Sequence, residues 1–315
     1  MTTTHARPVT SPSSSAQLAP ALVINHVTKR YGSNRVVHDL TFTVRPGRVT
    51  GFLGPNGAGK STTMKVLLDL AAADGGTARI GDTRYRDLAD PARAVGVMLE
   101  PNFHPGRSGR DHLRILARAA GIPMVRVDEM LESVGLAAAA DRRAGTYSLG
   151  MRQRLGLAAA LLGDPSVLVL DEPANGLDPE GIRTLRNSLR GRAAQGHTVF
   201  VSSHLLAEVE HLADDVIVIN KGRLVAQGSL ADLQHAAAFI RTPARDRLLD
   251  VVAAAGGVAH ARDGDGVVVR GMDLDQIGEA AFHAGIPIHQ LSSEAGSLEE
   301  LFLNWTSGDV EEVER

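Results

Sequence analysis

The chain has 315 residues, enough for one large hydrophobic core and a smaller second unit. A formal net charge of −3 gives no electrostatic basis for general nucleic-acid binding, and the absence of cysteine excludes disulfides and thiolate metal sites, as in a reducing cytosol. No apolar run approaches the roughly 18–20 residues that span a bilayer. Residues 1–20 are rich in Thr, Ser and Pro and lack the apolar core of a secretory signal. We therefore predict a soluble protein with a disordered tail over residues 1–20.

The first predicted elements form a β portion. Residues 21–27 are apolar enough for a strand, and residues 36–44 alternate in the manner of a second strand. Residues 31–34 predict a turn between them, and the Arg-Pro-Gly sequence at 45–47 ends the second strand. We expect an N-terminal β region.

A glycine-rich segment at residues 54–61, G-x-x-x-x-G-K-S, is the most specific motif of the chain. An apolar strand pattern at 48–53 precedes it, and apolar residues at helical spacing follow over 61–70. In such a P-loop, glycines allow backbone N–H groups to surround phosphate oxygens, and the helix N-terminus adds partial positive charge. The motif predicts a nucleoside triphosphate site in which Lys60 reaches the β and γ phosphates and the Ser61 hydroxyl binds Mg²⁺. The predicted nucleotide-binding residues here are Gly54, Pro55, Asn56, Gly57, Ala58, Gly59, Lys60, Ser61 and Thr62.

The segment after the P-loop helix is predicted to be mostly helical. A short β segment at 77–80 and a buried strand at 95–99 come first, and the latter ends in a loop over 101–109 that is rich in Pro and Gly. Apolar residues at helical spacing then predict three helices, at residues 110–120, 125–134 and 149–162.

A nearly all-apolar run at 166–170 is typical of a strand in a parallel sheet that is covered on both faces. Asp171 and Glu172 follow it directly, which matches the Walker B pattern of an apolar strand ending in an acid. We predict that Asp171 holds Mg²⁺ and that Glu172 polarises the attacking water as general base. The strand and helix patterns continue to alternate at 180–194, 198–201, 205–213, 216–219 and 221–228, which predicts an open, mostly parallel α/β sheet.

The pattern changes from residue 229 onward. The helices and strands predicted here carry no catalytic motif, so we expect a small α+β appendage over 229–306 and an acidic tail over 307–315. The predicted helices are at 230–236, 245–255, 274–284 and 297–305, and the predicted strands are at 239–242, near Val258, and at 266–270 and 286–291.

Several motifs, in the order of one family, resemble those of ATP-binding-cassette (ABC) ATPases. Ser148 and Gly150 match the L-S-G-G-Q signature, whereas Leu149 and Met151 stand where that signature has glycine and glutamine. Residues 175–179, Asn-Gly-Leu-Asp-Pro, resemble the D-loop of the family. The resemblance covers residues 21–228 and implies a P-loop NTPase of ABC type with an N-terminal antiparallel β portion and a helical signature subdomain at about 101–163.

The resemblance implies further site residues. His204 follows a strand where the family keeps its switch histidine, which helps to orient Glu172 and water. Tyr31 lies where these ATPases stack an aromatic ring on adenine, and Asp178 belongs to the D-loop. Ser148 and Gly150 are expected to close over an ATP that is bound by a second ATPase subunit. The second subunit can be a copy of this chain or a different cassette, and the pair would drive a separate integral-membrane permease from the cytoplasmic face of the membrane.

Glu100 departs from the family pattern, which has a glutamine after the 95–99 strand. A carboxylate here adds negative charge and can bind Mg²⁺ or its water, so we include Glu100 among the nucleotide and metal residues. With a glutamate at this position, the chain resembles the subgroup of exporter ATPases that serve bacitracin- and lantibiotic-type antibiotics. An exporter of drugs, antibiotics or peptides is therefore the favoured function.

Three alternatives remain. A soluble ABC ATPase acting on DNA would carry a coiled coil between the P-loop and the signature, and no heptad stretch lies between Lys60 and Ser148. One acting on ribosomes would carry two cassettes in one chain, and no internal repeat is present. Both are therefore disfavoured. A regulatory cassette without hydrolysis is disfavoured by Glu172 and His204. An ABC importer shares the same cassette and stays open.

Overall fold

The computed structural model describes residues 18–101, 103–234 and 237–294, together with Phe302. The N-terminal β region is a three-stranded antiparallel sheet in the order β2-β1-β4. Its first strand runs farther than predicted, to Tyr31, and the hairpin turns over two residues, with Gly32 at φ +60°. The strands are β1 (Leu22–Tyr31), β2 (Asn34–Val44) and β4 (Gly75–Ile80).

A six-stranded sheet carries the rest of the N-terminal two-thirds, in the order β5-β6-β7-β3-β8-β9. All neighbours in it are parallel except β8 and β9. Every residue of β3 and β6 is buried, as the continuous apolar runs predict. The strands are β3 (Val49–Leu53), β5 (Val95–Met98), β6 (Val167–Asp171), β7 (Thr198–Ser203), β8 (Asp215–Asn220) and β9 (Arg223–Ser229).

Three aromatic rings join the two sheets. Phe42 of β2, Phe52 of β3 and Phe200 of β7 lie with ring centroids 5.1–5.9 Å apart and tilted planes, a favourable aromatic geometry. Since Phe52 directly precedes Leu53 and the P-loop, this cluster fixes the strand that presents the loop.

Helices flank the six-stranded sheet, and three of them form the predicted helical segment around a core that includes Leu113, Leu131 and Leu155. Two short helical elements were not predicted, the four-residue α2 and a 3₁₀ turn at Tyr85–Asp87. Neither is long enough to show a helical period in the sequence. The helices are α1 (Lys60–Leu67), α2 (Pro91–Ala94), α3 (Gly109–Ala119), α4 (Val125–Ser133), α5 (Leu149–Leu161), α6 (Pro179–Ala194), α7 (Leu206–Leu212) and α8 (Leu230–Gln234).

The C-terminal unit is an α+β sandwich in which two helices cover one face of a four-stranded antiparallel sheet. Its chain order, βαββαβ, and its strand order, β11-β12-β10-β13, are those of the ferredoxin-like split βαβ arrangement. The elements are β10 (Ala237–Arg241), α9 (Arg245–Ala254), β11 (Val258–Ala261), β12 (Gly266–Arg270), α10 (Leu274–His283) and β13 (Gln290–Glu294).

The last strand of this unit corrects one prediction. A strand was expected at 286–291, but β13 starts only at Gln290. Pro287 lacks an N–H for a ladder, and its carbonyl instead accepts a hydrogen bond from the Thr242 hydroxyl at 2.8 Å. The predicted helix at 297–305 lies outside the described residues except for Phe302. The predicted tails likewise lie outside them, apart from residues 18–20, and the predicted domain limits stay a prediction. Within the described ranges, none of the helices is both long and apolar enough to span a membrane.

Candidate nucleotide-binding and hydrolysis site

The P-loop connects the carboxyl end of β3 to the first residue of α1. A Cβ on Gly54 would lie 2.5 Å from the carbonyl oxygen of Ile219, so only glycine fits between the loop and β8. Gly59 has φ +105°, and a Cβ there would lie 2.9 Å from the carbonyl oxygen of Val36. These two glycines are required by the backbone itself, so the loop is a shaped cradle rather than a simple turn.

The N-terminus of α1 lacks the side-chain cap that the N-termini of α5 and α6 have. Its N-cap is Gly59, without a side-chain cap, and no acid stands in its first turn. By contrast, Ser148 caps α5 and Asp178 caps α6. Pro55, Asn56 and Gly57 are exposed along the loop, and Ser61 is exposed at the start of the helix. The positive end of the α1 dipole is therefore open to an anion such as phosphate.

Lys60 is buried within this cradle. Its Nζ donates to the carbonyl oxygens of Gly54 at 2.5 Å and Pro55 at 3.3 Å, and it lies 3.7 Å from Glu172 Oε1. Burial lowers the pKa of Lys60, and the carboxylates of Glu172 and Asp171 act in the opposite direction. The cation is thus held at the centre of the loop, between the P-loop and the acids at the end of β6.

Asp171 and Glu172 leave the end of β6 next to β7. Ser202 of β7 holds both, since its hydroxyl donates to Asp171 Oδ1 and accepts from the Glu172 N–H at 2.9 Å. Glu172 has φ +49°, the left-handed region that few residues other than glycine adopt. Its Oε2 lies 2.8 Å from Nδ1 of His204. The structure therefore brings Lys60, Glu172 and His204, three residues singled out from sequence, into one contact chain.

His204 lies in a short loop that is held by hydrogen bonds of the preceding residue, Ser203. The Ser203 hydroxyl accepts from the Leu205 N–H at 3.0 Å and donates to Glu208 Oε2 at 3.0 Å. Burial raises the pKa of Glu208, the Ser203 hydrogen bond opposes that shift, and the charge of nearby Glu172 adds to it. Ser203 and Glu208 were not predicted as site residues, although Ser203 directly precedes the histidine in the sequence.

Ser148, Gly150 and Asp178 lie on two adjoining segments. The Ser148 hydroxyl accepts from the Met151 N–H at 3.3 Å, and a Cβ on Gly150 would lie 2.6 Å from the carbonyl oxygen of Gly176. Asp178 accepts from the Gly181 N–H at 3.0 Å and from Arg154 at 2.8 Å, and these bonds lower its pKa. Asp178 therefore has a structural role within its own chain, which the D-loop resemblance alone did not indicate.

Glu100 and Tyr31 are both exposed. Glu100 lies two residues beyond the end of β5, the strand that pairs with β6, and so at the same sheet edge as Glu172. Tyr31 ends β1 with Lys29 Nζ 5.2 Å from its ring centroid. Across the described part of the chain, no three His, Asp or Glu side chains are grouped closely enough to hold a metal ion by themselves. A Mg²⁺ ion here would have to share its ligands with phosphate and water.

Comparison with known proteins agrees with this geometry. Residues 37–175 match the ABC transporter family, and residues 236–299 match a domain of unknown function, DUF8746. Over 302 residues the chain is 34% identical to the uncharacterized ABC transporter ATP-binding protein YdbJ of Bacillus subtilis (strain 168), covering 94% of this chain and 98% of the relative. It is 41% identical to the bacitracin transport ATP-binding protein BcrA of Enterococcus faecalis, covering 66% of this chain and 69% of that one. A solved structure of an ATP-binding subunit of an ABC transporter is similar with a TM-score of 0.63 and 29% identity, covering 69% of this chain and 92% of that chain.

Proposed function

Since the chain belongs to the ATP-binding subunits of ABC transporters, a family of ATPases, we propose that it hydrolyses ATP to drive export of antibiotic- or peptide-like compounds through a separate permease. The observation that carries hydrolysis is the 2.8 Å contact between Glu172 and His204, next to Lys60. A cassette that only binds nucleotide has no need for an acid held by a histidine beside the phosphate cradle. Transport of an antibiotic is supported by the bacitracin transport relative, which is similar over 66% of this chain.

We assign the following roles within one chain. The P-loop from Gly54 to Thr62 binds the phosphates through its backbone N–H groups and Lys60. Glu172 takes the proton of the attacking water, and His204 holds the Glu172 carboxylate in position. Tyr31 is the proposed adenine platform; its ring is exposed, as stacking requires.

The residues present fit a magnesium ion. Ser61 offers an exposed hydroxyl and Asp171 a carboxylate that Ser202 orients, which is the kind of oxygen set that Mg²⁺ uses together with phosphate oxygens. Glu100 at the neighbouring strand end is a third candidate. When bound, the ion neutralises charge on the phosphates.

We further propose that the site is completed by a second cassette. Ser148 is exposed at the start of α5, with Gly150 two residues on, so a phosphate on another subunit can reach both. A head-to-tail pair with two-fold symmetry would place this face over the ATP of the partner, with Asp178 at the same seam. The pair can consist of two copies or of two different cassettes, and it would dock on a permease at the cytoplasmic face of the membrane. The alternative of a soluble ATPase acting on DNA would require a long coiled coil between Lys60 and Ser148. It receives no support, because the longest helix described in that interval is α3, of 11 residues.

The ATPase part of the proposal is tested with Glu172→Gln, which keeps the shape of the side chain but removes the base. We expect ATP affinity close to wild type, loss of turnover, and an ATP-dependent dimer detected by size-exclusion chromatography with light scattering. A Glu172→Gln protein that turns over at the wild-type rate would refute the role of Glu172.

The transport part needs a membrane partner. The neighbouring open reading frames are first searched for a permease. The wild-type chain and Glu172→Gln are then each expressed with that candidate permease, and the bacitracin concentration that stops growth is measured. Wild type should raise that concentration and Glu172→Gln should not. Equal concentrations for the two would exclude ATP-driven export of bacitracin while leaving the ATPase result intact.

A further inference from the structure

The carbonyl oxygen of Glu172 is held from the helix that begins at the signature serine. Gln153 of α5 donates from Nε2 to this oxygen at 2.7 Å, and the Asn175 N–H donates to it at 3.2 Å. Gln153 is only 4% exposed, so a buried side chain makes this part-buried hydrogen bond between the helical segment and the end of β6. Sequence reasoning did not single out Gln153.

The hydrogen bond matters because of the backbone of Glu172. A left-handed φ at a residue other than glycine costs about 1–3 kcal/mol and persists only where neighbouring groups fix it. Ser202 fixes the N–H side from β7, and Gln153 and Asn175 fix the carbonyl side. The direction of the Glu172 side chain, and hence its contact with His204, follows from this backbone.

Gln153 contacts Glu172 directly, whereas the other contacts of α5 meet later residues of the same loop. A cavity of about 380 Å³ separates the end of α4 and one side of α5 from Pro173 and the start of α6, and Gln153 lies on its wall. Apolar packing joins the two parts beside this cavity, since Leu155 and Leu157 of α5 belong to the same buried core as Ala174 and Leu185. Other contacts from α5 reach the same loop, namely the Arg154–Asp178 ion pair and the packing of Leu149 and Gly150 against Gly176. They meet the loop at residues farther from Glu172 in sequence.

We propose that Gln153 is a positioning residue for hydrolysis, which sets the backbone of Glu172 from the signature helix α5. It touches no reacting atom and acts through Glu172. Because Ser148 begins the same helix, a shift of α5 when Ser148 meets the phosphate of a partner's ATP is passed to the general base of its own chain. The inference rests on the proposed roles of Glu172 and Ser148.

The test uses Gln153→Leu, which keeps the approximate volume and helix propensity but removes the donor. We expect kcat for ATP to fall roughly 10- to 100-fold, the range for a displaced catalytic group, with the Kd for ATP within about twofold of wild type. Val127→Ala is the matched control, because Val127 is buried in α4 of the same helical segment and touches neither Glu172 nor the P-loop. Its kcat per folded molecule should equal that of wild type.

A double mutant separates positioning from general loss of structure. In a Glu172→Gln background the residual hydrolysis should be unchanged by Gln153→Leu, because residues that act through one group are not additive. An equal further loss in that background, or a wild-type kcat for folded Gln153→Leu, would overturn the proposal. Gln153→Met, which also lacks the donor, gives the same decision if the leucine variant does not fold. A failure of Glu172→Gln itself to lose activity would instead refute the proposed function.

Discussion

Ser202 offers the sharpest test of how the acids at the end of β6 are held. Its side chain is fully buried, and its hydroxyl serves two neighbours at once, the N–H of Glu172 and the carboxylate of Asp171. Ser202→Ala removes both bonds without adding any atom. No change in backbone preference is needed, since alanine tolerates the extended conformation of β7.

The expected cost follows from the two lost partners. A buried N–H left without its acceptor costs about 1–3 kcal/mol, and a hydrogen bond to a charged group is worth about 1.5–3 kcal/mol. Asp171 is 8% exposed and regains little hydration. We therefore expect the free energy of unfolding to fall by about 3 kcal/mol. With a urea dependence of about 3 kcal/mol per molar, the unfolding midpoint should fall by about 1 M.

The assay is urea unfolding followed by circular dichroism, with Ser133→Ala as control. The Ser133 hydroxyl donates to the Met130 carbonyl at 2.8 Å, but Ser133 is exposed, so water replaces the lost bond. The control should lie within about 0.5 kcal/mol of wild type. If Ser202→Ala unfolds at the same urea concentration as Ser133→Ala, the buried hydroxyl does not hold the acids and the reasoning is wrong.

The remaining predictions concern single groups of the site and its surroundings. Lys60→Ala should lose measurable ATP binding in isothermal titration calorimetry, because it removes the only buried cation described in the loop; unchanged affinity would contradict the P-loop assignment. Glu100→Gln should change the Mg²⁺ concentration that gives half-maximal ATPase activity, and an identical Mg²⁺ titration would show that Glu100 is only a surface residue. Burial and then the charge of Arg107 lower the pKa of His112 below its ordinary value of 6.5, and its ring packs edge-on against Phe103. Below pH 6.5 the unfolded chain therefore binds a proton that the native chain does not, so stability falls as the pH drops through this range. His112→Phe should reduce that fall, as measured by thermal unfolding between pH 5 and 8.

The parts of the fold that were predicted from sequence are those with local signals. The P-loop, the all-apolar β6 and the acids after it are each written in a short run of residues, and the structure has them where they were expected. The mostly parallel sheet and the ABC type of fold are confirmed by the strand pairing and by the solved relative.

The parts that escaped prediction depend on contacts between distant residues. Gln153 meets Glu172 across 19 positions and Ser202 meets it across 30, and no periodicity in the sequence marks either pair. Asp178 was placed at the nucleotide by resemblance, yet its capping bond and its ion pair with Arg154 become visible only when α5 and α6 are packed together. The roles of Glu172, Lys60 and Glu100 are predictions that the experiments above decide.

The ends of the C-terminal unit lie side by side, because β10 and β13 pair so that Ala237 stands opposite Glu294. Opposed residues in an antiparallel pair are about 4.5–5.5 Å apart, so entry and exit nearly coincide. On the ATPase side, Leu233 before the unit and Phe302 after it pack on the same apolar cluster, which contains Leu53 of the P-loop strand. The chain therefore enters and leaves this unit at nearly the same place. We expect that another domain with closely spaced termini can replace the unit without distorting the catalytic core.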